Sequence, residues 1–173
     1  MKPFDCRKFV AGITSVMVGP GSSNVVGGQF AFMKTKGRIL EDLIVLAPAA
    51  MKVAFGENPK TNYDSQGTMP STRMAIGSML RETLFEASQY WKQKKNSEQN
   101  GEAFQTKYRM DCWGPVLDKK IPLKAHVHRA DDILTAIRIA KEFDVSLTLD
   151  HCTEGHLIAD RIHESGFPAI IGP

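Results

Sequence analysis

Residues 121–172 read IPLKAHVHRADDILTAIRIAKEFDVSLTLDHCTEGHLIADRIHESGFPAIIG and alternate between short apolar runs and longer amphipathic runs. Short apolar runs predict strands, and apolar residues at steps of three and four predict helices. The predicted order is a strand at 121–128, a helix at 130–143, a strand at 145–150, a helix at 154–165 and a strand at 168–172. This order implies parallel strands joined by right-handed crossovers, and hence an α/β sheet or barrel.

Two histidines stand at the ends of the first two of these strands. The interval from His126 to His151 matches the roughly 25 to 30 residues of one β/α barrel unit. We therefore expect both side chains at one rim of the sheet, on neighbouring parallel strands. Because barrel enzymes assemble metal and catalytic sites at the carboxyl ends of their strands, this placement favours a metal-dependent hydrolase.

Upstream of these strands the apolar runs are shorter. They predict strands at 13–18 and 29–34, two short segments at 43–46 and 51–55 around Pro48, and a short helix at 4–11.

The longest predicted helix runs from about Ser71, its expected N-cap, to Lys95. Its predicted buried stripe consists of Met74, Gly77, Leu80, Leu84, Ala87 and Trp91. The polar residues 96–103 predict a mobile loop after it.

Composition is that of one ordinary globular domain, with 173 residues, 42% of them apolar and 24% charged. The net charge is +3, and the scattered lysines and arginines form no stripe for nucleic acid. Three cysteines without a C-x-x-C motif fit a reducing compartment, and the sequence has no apolar signal core or membrane-length apolar run. We expect a cytoplasmic protein with a small-molecule substrate and no nucleic-acid or membrane partner.

Chain length limits the architecture. A closed eight-stranded barrel requires roughly 250 residues, more than the 173 present. We therefore expect an α/β fold that forms a partial (β/α) TIM-like barrel of parallel strands, with residues 1–173 as one domain. Such a sheet has unpaired edges at residues 13–18 and 168–172, which predict a homo-oligomer.

Several segments together resemble one enzyme family. They are AGITSVMVGPGSSNVVGGQFAFMKTKG (11–37), MKVAFGENPK (51–60), MPSTRMAIGSMLRETL (69–84), HVHRADD (126–132), DHCTEG (150–155) and FPAIIGP (167–173). In this order they resemble the metal-dependent amidohydrolases, and more narrowly the branch grouped with imidazolonepropionase. The resemblance implies a distorted (β/α) barrel that hydrolyses C–N bonds of cyclic amides or related small molecules through a metal-bound hydroxide.

The resemblance also implies a set of metal ligands. The family uses an H-x-H pair on the first strand, a carboxylated lysine or a glutamate on a middle strand, and one histidine on each of two later strands. His126 and His151 match the later histidines, and Glu57 in GENPK is the candidate for the middle strand. Zinc is the first expected metal, with manganese, cobalt and iron as alternatives.

Two elements of the family pattern have no counterpart in the sequence. His126-Val-His128 lies in the context of a later strand, so that it does not supply the first-strand pair, and the final-strand aspartate is also missing. We therefore expect the chain to be the central part of such an enzyme.

Three residues near the two histidines have open roles. His128 is a substrate contact, a side chain that orients a ligand, or a polar residue at a strand end. Arg129 binds a substrate carboxylate or lies on the surface at a helix start. Glu154 orients a ligand histidine or caps its own helix.

The GENPK region offers three further candidates. Asn58, Lys60 and Arg73 are placed to bind anionic groups of a substrate. Solvated surface charges are the alternative for Lys60 and Arg73.

Two function classes follow from these observations. The first is a metal-dependent amidohydrolase. The alternative is a non-catalytic α/β domain that self-associates through its exposed sheet edges.

Overall fold

The computed structural model describes residues 11–172. The helix predicted at 4–11 falls on residues that, apart from the last, lie outside this range. The strands are β1 (Ser15–Val18), β2 (Val26–Lys34), β3 (Ile44–Ala54), β4 (Leu123–Val127), β5 (Leu147–His151) and β6 (Ala169–Ile171). The α-helices are α1 (Leu40–Leu43), α2 (Glu57–Asp64), α3 (Arg73–Asn100), α4 (Tyr108–Asp111), α5 (Gly114–Leu117), α6 (Ala130–Glu142) and α7 (Ala159–Ser165), with a 3₁₀ turn at Gly155–Ile158.

The six strands form one curled sheet in chain order. Strands β3 to β6 are parallel, as predicted, but β1 pairs with β2, and β2 with β3, in antiparallel fashion. The expectation of a partial barrel made only of parallel strands is therefore wrong for the first two strands. The physical reason is the length of the connections: residues 19–25 and 35–43 are too few for a crossover and instead allow hairpin pairing.

Strand β3 is continuous, although the sequence predicts two separate segments around Pro48. In its pairing with β2, Phe30 faces Ala50 whereas Phe32 faces Leu46, so the β3 residues between these partners bulge out of the ladder. Pro48 lies inside this bulge. A proline has no backbone N–H to donate, and a bulge is where a strand tolerates it.

Helix α3 differs from its prediction at both ends. It is capped by Thr72, whose side chain accepts a hydrogen bond from the Ala75 N–H, instead of by Ser71. It also includes residues 96–100, for which the sequence predicts a mobile loop, and it ends at Gly101. Its buried face consists of Ile76, Gly77, Leu80, Leu84, Ala87 and Tyr90. Met74 of the predicted stripe is 84% exposed.

The core lies between α3, α6 and one face of the parallel strands. Leu123, Ala125 and Val127 of β4 belong to this core, as do Leu147 and Leu149 of β5. Since side chains alternate along a strand, the intervening residues point to the opposite face. That face carries His126, and it positions the site described next.

None of the described helices combines the length and the apolar character that crossing a bilayer requires.

Candidate metal centre

Three histidine rings meet at the carboxyl ends of β4 and β5. The ring centroids of His126 and His128 are 4.5 Å apart, those of His126 and His151 are 4.6 Å apart, and those of His128 and His151 are 4.8 Å apart. One nitrogen from each ring can be chosen so that all three lie within 4.8 Å of one another. The sequence prediction that His126 and His151 are neighbours at one rim is confirmed by these distances.

The position of His151 depends on an unusual backbone. His151 pairs with Val127, a core residue, so regular alternation would direct His151 toward the helices. Its φ is instead +73°, and that of Cys152 is +46°. Non-glycine residues rarely adopt this left-handed region, and such strain concentrates at functional sites. With this left-handed backbone, the His151 ring lies against the rings of His126 and His128.

His126 is the most enclosed of the three and is 5% exposed. Its Nε2 lies 3.1 Å from Nδ2 of the Asn58 side-chain amide. Its Nδ1 is buried and has no hydrogen-bond partner among the described residues. Burial, followed by the charges of His128, His151 and Lys52, lowers the pKa of His126 to about 4.

His128 is held by the loop after β5. Its Nδ1 lies 2.7 Å from the Thr153 hydroxyl, and its carbonyl accepts a hydrogen bond from the Glu154 N–H at 2.9 Å. Burial and the charge of His151 lower the pKa of His128. The Glu154 carboxylate accepts a hydrogen bond from the Ala130 N–H at 2.8 Å, so it caps α6. The sequence offers a cap on the helix that follows Glu154 as one of its two roles, and this contact lies on a different helix.

Glu57 is not placed with the histidines. Its carboxylate lies 2.7 Å from Arg73 and 3.4 Å from Lys60, and its side chain is 57% exposed. The group that the structure brings together contains His128 in place of the expected Glu57. The reason is tertiary: the carboxylate pairs with Arg73, at the start of α3. A ligand role for Glu57 stays a prediction.

The three predicted substrate-binding cations are paired within the protein. Arg129 makes two contacts with Asp131, at 3.0 and 2.9 Å. Arg73 bridges Glu57 and the buried Asp132, the latter at 3.3 Å, and Lys60 contacts Glu57. A role for these cations in substrate binding stays a prediction.

Lys52 is a candidate that the sequence interpretation missed. It lies on β3 two residues before Ala54, which pairs with His126, and its charge contributes to the low pKa of His126. Lys52 is 5% exposed, forms no ion pair within residues 11–172 and lies 5.9 Å over the Phe30 ring. Burial lowers its pKa, the charge of Asp150 raises it, and that of Lys124 lowers it further. The sequence signal that could have identified Lys52 is a single lysine inside the apolar run 51–55.

This arrangement fits a divalent metal. Imidazole binds zinc in its neutral form, and burial favours that form at His126 and His128. The unpartnered Nδ1 of His126 is a buried polar atom that a metal ion would satisfy.

The low pKa of His126 predicts how the stability of the metal-free chain depends on pH. A folded-state pKa of about 4, below the ordinary 6.5, means that the unfolded chain binds the proton first. The free energy of unfolding therefore falls as pH decreases from about 6.5 toward 4, with about 3 kcal/mol from His126. Urea unfolding at pH 7 and pH 4.5 with chelator measures this loss. The variant His126→Gln should lose less, and an equal loss in both proteins would contradict the assignment.

Two comparisons with known proteins match this chain to amidohydrolases, and a third finds no match. No protein-family model matches the chain. Over 175 residues the chain is 23% identical to the amidohydrolase tasK of Hapsidospora irregularis, covering 89% of this chain and 18% of the relative. The fold matches the crystal structure of an amidohydrolase from Thermotoga maritima MSB8 with a TM-score of 0.90 and 45% sequence identity, covering 94% of this chain and 43% of that chain. The chain thus spans less than half the length of either protein. Both comparisons support a relationship to amidohydrolases and do not favour a non-catalytic domain.

Proposed function

We propose that this chain carries the metal-holding part of an amidohydrolase that hydrolyses a C–N bond of a cyclic amide or a related small molecule. The observation that carries the proposal is the set of three facing histidines at the ends of two parallel strands, one of them with a buried, unpartnered nitrogen. The likeness to a solved amidohydrolase at 45% identity supports it. The narrower relationship to the imidazolonepropionase branch is part of the proposal and rests on the sequence motifs.

In this proposal His126, His128 and His151 hold one divalent metal, zinc first, with manganese, cobalt or iron as alternatives. A bound divalent metal supplies a Lewis acid for the amide carbonyl and lowers the pKa of water. Thr153 orients the His128 ring through the 2.7 Å contact with Nδ1. His128, expected to face the substrate, thereby becomes a ligand.

We further propose that Lys52, and not Glu57, supplies the middle-strand carboxylate. The resemblance implies a carboxylated lysine or a glutamate at this position, and the pairing of Ala54 with His126 puts Lys52 on the strand next to His126. Burial favours the neutral amine of Lys52. That amine attacks CO₂, a C–N bond forms, one proton leaves, and the product is a carbamate with two oxygen atoms for a metal.

The charges at the rim bear on the substrate class. Lys60, Arg73 and Arg129 are each paired with a carboxylate of the protein. A substrate anion would have to displace these partners, so the rim favours an uncharged cyclic amide.

Self-association also stays a prediction. The outer strands expose Met17 (42%) and Val18 (43%) at one edge and Ile170 (50%) and Ile171 (76%) at the other. Such apolar edges support pairing with a second chain.

The test is metal content after purification without chelator. The wild type should hold about one equivalent of zinc, manganese or cobalt, because three imidazoles and an open position form a catalytic-type site. The double variant His126→Ala/His151→Ala should hold none, and His156→Ala, which removes an exposed histidine outside the group, should match the wild type. A loaded wild type is then assayed with a panel of uncharged cyclic amides. Equal metal content in the wild type and the double variant would contradict the proposed centre.

A further inference from the structure

The two ring nitrogens of His126 have different surroundings. Nε2 lies 3.1 Å from Nδ2 of the Asn58 side-chain amide, whereas Nδ1 is buried without a partner among residues 11–172. Asn58 therefore occupies Nε2, and Nδ1 is left without a partner among the described residues.

The backbone that carries Asn58 is fixed from two sides. Its neighbour Glu57 lies 2.7 Å from Arg73, and Arg73 Nε lies 3.3 Å from Asp132, which is 4% exposed. Gly56 has a φ of +82°, and a Cβ built on it would lie 2.8 Å from Asp132 Oδ2. The segment from Gly56 to Asn58 is thus held between the starts of α3 and α6.

We propose that Asn58 is a positioning residue that keeps the proton of His126 on Nε2 and leaves Nδ1 free as the metal ligand, and that Arg73 holds Asn58 in place through Glu57. The role of Nδ1 as a ligand rests on the proposed function. The effect on the tautomer does not, because it concerns the metal-free protein.

The argument for this tautomer is one of hydrogen-bond satisfaction. A neutral imidazole has one donor and one acceptor nitrogen, and an amide presents either its oxygen or its NH₂ group depending on rotation about Cβ–Cγ. If the NH₂ group of Asn58 donated to Nε2, the proton of His126 would lie on Nδ1, buried with no acceptor among the described residues. A half-turn of the amide about Cβ–Cγ exchanges Nδ2 and Oδ1, which have nearly the same shape. With Oδ1 at this position the oxygen accepts from Nε2–H, and Nδ1 keeps its lone pair for a metal. Partners of this kind fix the tautomer of ligand histidines.

Four variants separate the parts of this proposal. Asn58→Leu removes both the oxygen and the NH₂ group of the amide at similar size, and Asn58→Asp keeps only an acceptor. Arg73→Met releases Glu57 without touching Asn58. The matched control is Asn62→Leu, since Asn62 lies on the same helix and its side-chain amide donates to the Ser23 carbonyl at 3.4 Å, away from the histidines. Circular dichroism and thermal unfolding establish that each variant is folded.

The first readout is the ¹⁵N NMR spectrum of the metal-free protein, which reports the tautomer of His126. We expect Nε2–H in the wild type, in Asn58→Asp and in Asn62→Leu, and a mixture of tautomers in Asn58→Leu. A wild type with its proton on Nδ1, or an unchanged spectrum in folded Asn58→Leu, would overturn the proposal.

The second readout is Co²⁺ and Zn²⁺ affinity by titration. Asn58→Leu should bind about 10- to 100-fold more weakly, the range for residues that orient ligand histidines, and Asn58→Asp should retain wild-type affinity. Arg73→Met should lie between them. Wild-type affinity in Asn58→Leu would overturn the positioning role. A wild type that binds neither metal would overturn the proposed function instead, and the NMR spectrum would then decide the role of Asn58.

Discussion

Gly56→Ala is expected to lower the free energy of unfolding by about 3 kcal/mol. Gly56 has a φ of +82° and a ψ of −145°, a backbone region that is essentially restricted to glycine and costs other residues about 1–3 kcal/mol. The new methyl group would also lie 2.8 Å from Asp132 Oδ2. Moving that buried carboxylate weakens its contact with Arg73, and a buried polar group without its partner costs about 1–3 kcal/mol.

Urea unfolding followed by circular dichroism measures this effect, and the matched control is Gly67→Ala. Gly67 also has a positive φ, +65°, but nothing lies within 4 Å of the position that a Cβ would take there. The control should lose only the backbone cost, about 1–2 kcal/mol for a left-handed alanine. Equal losses in both variants would show that Asp132 moves freely and that Gly56 does not fix the segment that carries Asn58.

The regular part of the fold could be predicted from the sequence because its signals are local. The helix predicted at 130–143 is α6, which spans Ala130–Glu142, where the apolar residues at steps of three and four face the strands. The parallel pairing of the last strands follows from the strand–helix–strand order.

The antiparallel strands could not be predicted in the same way. Their direction depends on which distant residues pair across short connections, such as Met17 with Phe32 and Phe30 with Ala50. Apolar runs show where strands form but carry no information about the partner of each strand.

The site was only partly predictable for a related reason. His126 and His151 stand in local motifs at a barrel-like interval, so their proximity could be inferred. The pairing of Glu57 with Arg73 joins two helices, and the left-handed backbone at His151 has no sequence signal comparable to a glycine. Such strained or long-range features are expected where function and local preference conflict.

Lys52→Met is expected to change metal binding and stability in opposite directions. If Lys52 supplies a carbamate ligand, its removal should weaken metal binding by more than about 100-fold. Loss of a residue that only orients a ligand costs about 10- to 100-fold, and loss of a direct ligand should cost more. In the presence of chelator the same variant should be more stable by about 1 kcal/mol. Burial disfavours the ammonium of Lys52, whose pKa it lowers, and methionine fills similar space without a charge. The lost contact with the Phe30 ring offsets part of that gain.

Titration with Zn²⁺ and urea unfolding test the two effects separately, with Lys34→Met as the control because Lys34 is an exposed lysine of β2 that contacts Ser15. ¹³C NMR in labelled bicarbonate should show a carbamate signal in the wild type and in the control that is absent from Lys52→Met.

A short carboxylic acid added to Lys52→Ala should restore part of the metal binding, since it replaces the missing oxygen ligands. A variant that binds metal like the wild type would show that the histidines suffice. A variant that loses both metal binding and stability would show instead that Lys52 supports the sheet. If Lys52 serves the chemistry of the site, its replacement by methionine should make the metal-free protein more stable.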